Sequence, residues 1–258
     1  MADEVITTRD GAVLTITLNR PDVYNAFNVD LHRALHGALT GEATDPAVRA
    51  VVITGAGKGF CAGQDIKEFQ ALRGAIRDAL EDTYHPNIRA IRGLEKPVIA
   101  AVNGPAAGAG LSLACACDIR IASDAASFVP GFIGIGLVPD SGGSWFVHRL
   151  LGFARAFEWM CSNRRLSAED ALAWGLVSDV VPAAEFSQRM AEAAARWAAL
   201  PTRAVGGTKR LFENAHAATL DEQLELEAAL QQAATATADF SEGVTAFLEK
   251  RPPEFSGS

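Results

Sequence analysis

A chain of 258 residues and 27.2 kDa, 49% hydrophobic and 21% charged, is long enough to bury one large α/β core with a helical appendage. Its net charge of −8 at pH 7 and pI near 5.2 argue against a nucleic-acid partner. No apolar stretch is long enough to cross a bilayer, and the start, MADEVITTRDG, lacks the basic head and apolar run of a signal peptide, so a soluble cytoplasmic protein with no membrane partner is expected.

Val13–Leu18 alternates branched residues with threonine and predicts a strand, followed by a turn at residues 19–22. Leu31, Leu35 and Leu39 recur every four residues and predict an amphipathic helix over residues 28–43, capped by Asn28. Residues 50–54, stopped by Gly55, and Val98–Val102, closed by Asn103 and Gly104, read as buried parallel strands. Residues 119–122 make a third. Strands alternating with helices predict a mostly parallel sheet covered by helices. After Pro182 the composition turns to Ala, Leu, Glu and Gln, with Leu220, Leu224 and Glu227 on a helical period. Residues 1–182 are therefore expected to form the core, and residues 183–258 a helical region packing on neighbouring chains or back on that core. The last stretch, 252-PPEFSGS, reads as a loose end. The four cysteines (Cys61, Cys115, Cys117, Cys161) form no CxxC pair and read as buried thiols of a reducing compartment; no metal-ligand spacing is present in the sequence.

Three segments are richer in glycine and alanine than their surroundings: 59-GFCAGQDI-66, 103-NGPAAGAGLSLACACD-118 and 134-GIGLVPDSGGSW-145. The first two follow strands directly, where open α/β sheets place ligands. Small residues there let backbone N–H groups approach a ligand, and two amides converging on one oxygen make an oxyanion hole, worth roughly 3–4 kcal/mol per donor. Each segment alone also fits a plain turn. The second has neither the spacing of a dinucleotide fingerprint nor the lysine of a phosphate loop.

Taken in order, together with 18-LNRPDVYNAFN-28, 96-KPVIAAVNGPAAGAG-110, 118-DIRIAS-123, 167-SAEDALAWGLVSDVV-181 and 242-EGVTAFLEKRPPEF-255, these segments resemble the enoyl-CoA hydratase/isomerase (crotonase) family over almost the whole chain. The resemblance implies an α/β fold: a crotonase-like spiral of β-β-α repeats with a helical C-terminal trimerisation region. It also implies an acyl-CoA substrate, no permanently bound cofactor (coenzyme A arriving as part of the thioester), and a homotrimer or homohexamer. By position it assigns the oxyanion amides to Ala62 and Ala109, with Gly110 the neighbouring alternative. Ala62, Gly63, Gln64, Asp65 and Ile66 would line the adenine and pantetheine path, and Lys250 would reach the CoA phosphate of a neighbouring subunit, unless it is simply a solvated lysine.

Hydratases of the family use two glutamates, and at those positions this chain has Ser112 and Phe132. An acid instead stands at Asp140, which fits either a helix N-cap or the single proton-moving carboxylate of family isomerases. Around Asp140 the segments are most similar to the ring-epoxide isomerases of phenylacetyl-CoA breakdown. The expected reaction is a 3-enoyl to 2-enoyl shift or a ring-epoxide to oxepin isomerisation through a thioester enolate. Hydration or hydrolysis by Asp140 alone, and a CoA-binding subunit without chemistry, are the alternatives. Val138, Pro139 and Trp145 are expected to surround the carboxylate with apolar groups and raise its pKa. Trp145 fits an acyl-pocket wall or plain core packing, and His85 either an acyl contact or the surface. Residues 67–91 are expected to set specificity.

Overall fold

The computed structural model describes residues 3–69 and 74–258; residues 70–73 of the expected specificity segment lie outside the described residues. Strands β1 (Val5–Asp10) and β2 (Val13–Leu18) form an antiparallel hairpin whose two-residue turn needs the positive φ of Gly11 (+54°). Helix α1 (Val29–Thr40) follows, its N-terminus closed by Asn28, whose Oδ1 accepts from the Leu31 amide at 2.7 Å. Leu31, Leu35 and Leu39 are buried on its inner face. Strand β3 (Ala50–Gly55) leads through helices α2 (Ile66–Phe69) and α3 (Ile76–Ala79), then a π-helical turn (Leu80–Tyr84), into α4 (His85–Gly93). Strands β4 (Val98–Val102) and β5 (Ala106–Ala107), helix α5 (Ala109–Ala116), and strands β6 (Ile119–Ser123) and β7 (Ser127–Val129) come next.

Helices α6 (Gly143–Leu151) and α7 (Phe153–Ser162), strand β8 (Leu166–Ser167), helix α8 (Ala168–Trp174) and strand β9 (Asp179–Val181) complete the sheet-bearing part. The strands make a six-stranded sheet in the order β1-β2-β3-β4-β6-β9, parallel from β2 onward, and a three-stranded sheet β5-β7-β8. Pairing continues past the main strands: Cys61 bridges Ala106 and Phe27 bridges Gln64, so the chain leaving β3 and β4 winds into the second sheet.

Alternate residues of the parallel strands enter two cores, which is why β3 and β4 are apolar throughout. Val51, Ile53, Ala100 and Val102 join α1, α4 and α5 on one face; Val52, Ile99, Ala101 and Ile121 meet Met190, Ala193 and Ala194 of α9 (Phe186–Ala198) on the other. Helix α9 thus lies within the expected helical region yet packs on the sheet. Helices α10 (Thr202–Asn214), α11 (Leu220–Ala234) and α12 (Ala238–Glu249) follow. Asp118 ties α10 to the body: it accepts from the Val98 amide, Arg92 and Lys209 at 2.8–2.9 Å.

The C-terminal stretch is not a loose end, contrary to its composition. The buried Asp239 carboxylate accepts from the amides of Ser256 and Gly257, and Arg49 Nη1 donates to the Phe255 carbonyl at 2.7 Å. Proline and glycine leave the tail no secondary structure, but side chains elsewhere satisfy its backbone.

Candidate active site

The loop leaving β3 is held by a buried asparagine. Asn25, fully buried with φ of +56°, donates through Nδ2 to the carbonyls of Ala56, Gly59 and Phe60 and accepts the Arg20 amide at 2.8 Å. Farther along, Phe27 brackets Gln64 on both sides: its N–H donates to Gly63 O at 2.7 Å and its C=O accepts from the Asp65 N–H at 2.9 Å. The Asp65 carboxylate is taken up by Arg20 (3.0 Å) and the Lys67 amide (3.1 Å), so it orders its own loop. Cys61 donates to Asn25 O, and burial pushes its thiol up to about 12, which removes it as a nucleophile at neutral pH.

The Ala62 N–H donates to the Tyr24 carbonyl at 2.9 Å. That amide is therefore spoken for, which conflicts with assigning it to an oxyanion hole. Between Phe60 and Asp65 the Gly63 and Gln64 amides have no oxygen acceptor among the described residues, and the Gly63 N–H serves the Cys61 sulfur, which leaves that of Gln64. A two-residue offset in a small-residue motif is invisible without knowing which amides the loop consumes internally.

The second segment meets the first at two points of close contact. A Cβ on Gly63 (φ +89°) would lie 2.8 Å from Ala107 O and 3.3 Å from Ala109 N; a Cβ on Gly110 would lie 2.2 Å from Cys61 O. Only glycine permits either approach. Gly108 turns the chain so that α5 begins at Ala109, and among the described residues the Ala109 and Gly110 amides have no protein acceptor, as expected in a first helical turn. The Gln64 and Ala109 amides thus stand side by side at the carboxyl end of the sheet, with the helix dipole of α5 favouring negative charge there.

Asp140 is joined to α5 through Ser112. Its carbonyl, not its carboxylate, serves the start of α6: it accepts from the Gly143 amide at 2.7 Å and from Ser112 Oγ at 3.0 Å, while Gly142 occupies the N-cap with no side-chain bond. The N-cap alternative is thereby set aside. Within the protein the carboxylate accepts only from the Ser141 hydroxyl at 2.9 Å, among the described residues. Burial raises its pKa above the usual carboxylate range, and the Ser141 hydrogen bond and the nearby His85 offset part of that rise. The expected apolar shield needs correction. Val138 is 78% exposed, and Trp145 packs against Phe146 and His216 with the Arg149 guanidinium 3.8 Å above its ring. Trp145 therefore walls a different part of the molecule; Ser141 meets the Asp140 carboxylate, Ser112 its carbonyl, and His85 and Tyr84 lie near enough to interact with its charge.

Ser112 is 1% exposed and Phe132 7%. Ser112 Oγ lies against the start of α6, close enough that a Cβ on Gly143 would come within 2.5 Å of it. Of the remaining expected residues, Ile66 is 75% exposed on the loop's outer side. Lys250 ends α12 in a left-handed conformation (φ 55°), exposed and without an ion pair among the described residues. The structure therefore gathers the Gln64 loop, the start of α5 and Asp140, and leaves Lys250 outside that group. Tyr84 was given no role by its sequence; the signal for it was its place beside His85 and Pro86 in the 67–91 segment.

Comparison with known proteins fits this geometry. Residues 8–258 match the family described as enoyl-CoA hydratase/isomerase. The chain is 41% identical, over all of both sequences, to the 1,2-epoxyphenylacetyl-CoA isomerase of Escherichia coli. It is 43% identical to a probable enoyl-CoA hydratase of Rhodobacter capsulatus, covering 94% of this chain and 93% of that one. Among solved structures, the enoyl-CoA hydratase of Bacillus anthracis superposes with a TM-score of 0.93 at 34% identity, over 99% of this chain and all of that one. A full-length match in sequence and in fold, converging on paired loops and a strand-end cleft, places this chain in the enoyl-CoA hydratase/isomerase (crotonase) family.

Proposed function

We propose that this crotonase-family protein is an acyl-CoA isomerase in which Asp140 moves the proton. The observation that carries the choice is the partly buried Asp140 carboxylate, on a loop hydrogen-bonded to Ser112 of α5, whose first amides have no protein acceptor among the described residues. A thioester acidifies its α-protons, and through conjugation its γ-protons, by spreading charge onto the carbonyl oxygen. The Gln64 and Ala109 amides would hold that oxygen, with Gly110 the alternative to Ala109, and Gln64 replaces Ala62 because the latter's N–H is consumed by Tyr24. Asp140 then takes a proton at one carbon and returns it at another, so the double bond moves and no atom is gained or lost. The name of the Escherichia coli relative supports a ring-epoxide thioester as the substrate, with expansion to an oxepin.

In this reading residues 62–66 form the wall along which coenzyme A lies, as part of the substrate and not as a resident cofactor. The chain assembles as a homotrimer or homohexamer through its helical region, residues 183–258, where Phe247 (83% exposed) and Leu248 (74%) present apolar surface on α12. Lys250 would then reach a neighbour's CoA phosphate. Hydration by Asp140 alone is the competing reading, favoured by the name of the Rhodobacter relative. Incubation with 3-enoyl- and ring-epoxide acyl-CoAs in deuterated water separates them. Deuterium at the α or γ carbon without net hydration supports isomerisation; a product heavier by one water overturns it.

A further inference from the structure

We infer that Tyr84 is a positioning residue of the oxyanion site: its hydroxyl clamps the Gln64 side chain, and so aims the Gln64 backbone N–H at the substrate oxygen. The inference rests on the reading above that this amide meets the thioester carbonyl.

Four observations converge on it. The Tyr84 hydroxyl donates to Gln64 Oε1, while the other end of that side chain has only a 3.5 Å contact to the Asp65 carbonyl. Tyr84 itself is 5% exposed and stands edge-on to two rings, His32 at 4.0 Å and Phe27 at 5.6 Å, which are themselves stacked at 4.4 Å. Phe27 is also the residue whose backbone grips the peptides on either side of Gln64. The contacts close on themselves: Phe27 holds the Gln64 backbone, its ring supports Tyr84, and Tyr84 holds the Gln64 side chain. Last, the base of the clamp is fixed in one protonation state. Asn87 Nδ2 lies 3.1 Å from His32 Nδ1 and also donates to the His32 carbonyl, and burial lowers the imidazole pKa to about 3, so the ring stays neutral.

Tyr84 reaches this point because it ends the π-helical turn, a widened turn that shifts the following residues around the helix axis. The next residue, His85, begins α4 and lies near enough to Asp140 to influence its charge. Two adjacent residues thus touch the two halves of the site. Burial and the Asp140 carboxylate both raise the phenol pKa, so Tyr84 stays protonated and acts as a donor, not as a second base. An amide held this way is oriented before substrate arrives, and misplacement of such a donor by a fraction of an ångström is enough to slow the reaction.

The test uses the whole protein with 4-dimethylaminocinnamoyl-CoA, whose absorption moves to longer wavelength when its carbonyl is polarised. The bound probe should be red-shifted on the unsubstituted protein. Tyr84→Phe, which keeps the ring packing, should lose at least half of that shift with a Kd within about threefold, and kcat on a 3-enoyl-CoA should fall about tenfold or more at nearly constant KM. Gln64→Met, which keeps the backbone amide and removes the acceptor, should do the same, and the double variant should be no worse than either single one. A full red shift and unchanged kcat in Tyr84→Phe, or single-variant losses that multiply, would overturn the inference. A bound probe with no red shift on the unsubstituted protein would remove the amide contact and the inference together. Asp140→Asn should leave the red shift intact, so failure of the proton-carrier reading leaves the role of Tyr84 standing.

Discussion

Asp140 is partly buried, and its charge has one hydrogen bond from the protein among the described residues. A carboxyl whose pKa is raised by folding favours the folded state when protonated and weighs against it once pH rises through the folded-state pKa. Asp140→Asn should therefore match or exceed the wild-type Tm at pH 7, and any gain should shrink as pH falls and the wild-type carboxyl becomes neutral. Its isomerase activity should drop about a hundredfold or more, the loss expected when a general acid–base is removed. Thermal melts from pH 7 to 4 beside turnover measurements check both. A loss of stability with retained activity would mean a structural carboxylate. At this scale the proposed acid could be singled out in the sequence, because Ser112 and Phe132 stand where family resemblance places the hydratase carboxylates. The amide was not: Ala62 and Gln64 are two residues apart on the same loop, and only the Tyr24 carbonyl distinguishes a consumed N–H from a free one.

Elements that bury two faces were the easiest to read. β3 and β4 show as apolar runs because alternate residues feed two cores, and α1 shows through its leucine spacing and asparagine cap. The π-helical turn before α4 and the two-residue strands β5 and β8 carry no periodic signal at that length. The start of α6 misleads in a different way. An aspartate before Ser-Gly-Gly looks like a cap, yet Gly142 takes the cap position and Asp140 contributes its carbonyl. The tight seat of Ser112 beneath Gly143 has its own consequence. Ser112→Glu should not create a hydratase. It should bury a carboxylate without space or partner and destabilise the fold by on the order of 3 kcal/mol. Urea unfolding with a hydratase assay tests this, and a stable variant that hydrates a 2-enoyl-CoA would show that the pocket can reopen.

For the whole molecule, α/β character followed from composition and strand–helix alternation, while the winding of the strands into a second sheet came from family resemblance. Two-residue strands and isolated bridges leave too little sequence for a topology to be read from it. Exposed Phe247 and Leu248, with Phe240 and Val244 along the same helix, give α12 an apolar face that a monomer would leave in water. If the chain assembles through this face, as proposed, Phe247→Asp combined with Leu248→Asp should yield monomers in sedimentation velocity at micromolar protein, with the far-ultraviolet circular dichroism unchanged. An unaltered sedimentation coefficient would move the interface elsewhere.

The buried thiol of Cys61 makes the loop after β3 its own clock. Fully buried, pushed up to about 12 and hydrogen-bonded to Asn25, it can meet an alkylating reagent only when the loop lifts from the start of α5, whereas Cys161 is exposed and should be modified first. The slow labelling of Cys61 at pH 8, resolved by peptide mapping from that of the buried Cys115 and Cys117, therefore measures how often this loop opens. A bound acyl-CoA that presses on the Gln64 amide should lengthen that interval in proportion to its occupancy. A Cys61 labelling rate indifferent to saturating ligand would mean that substrate does not brace the loop.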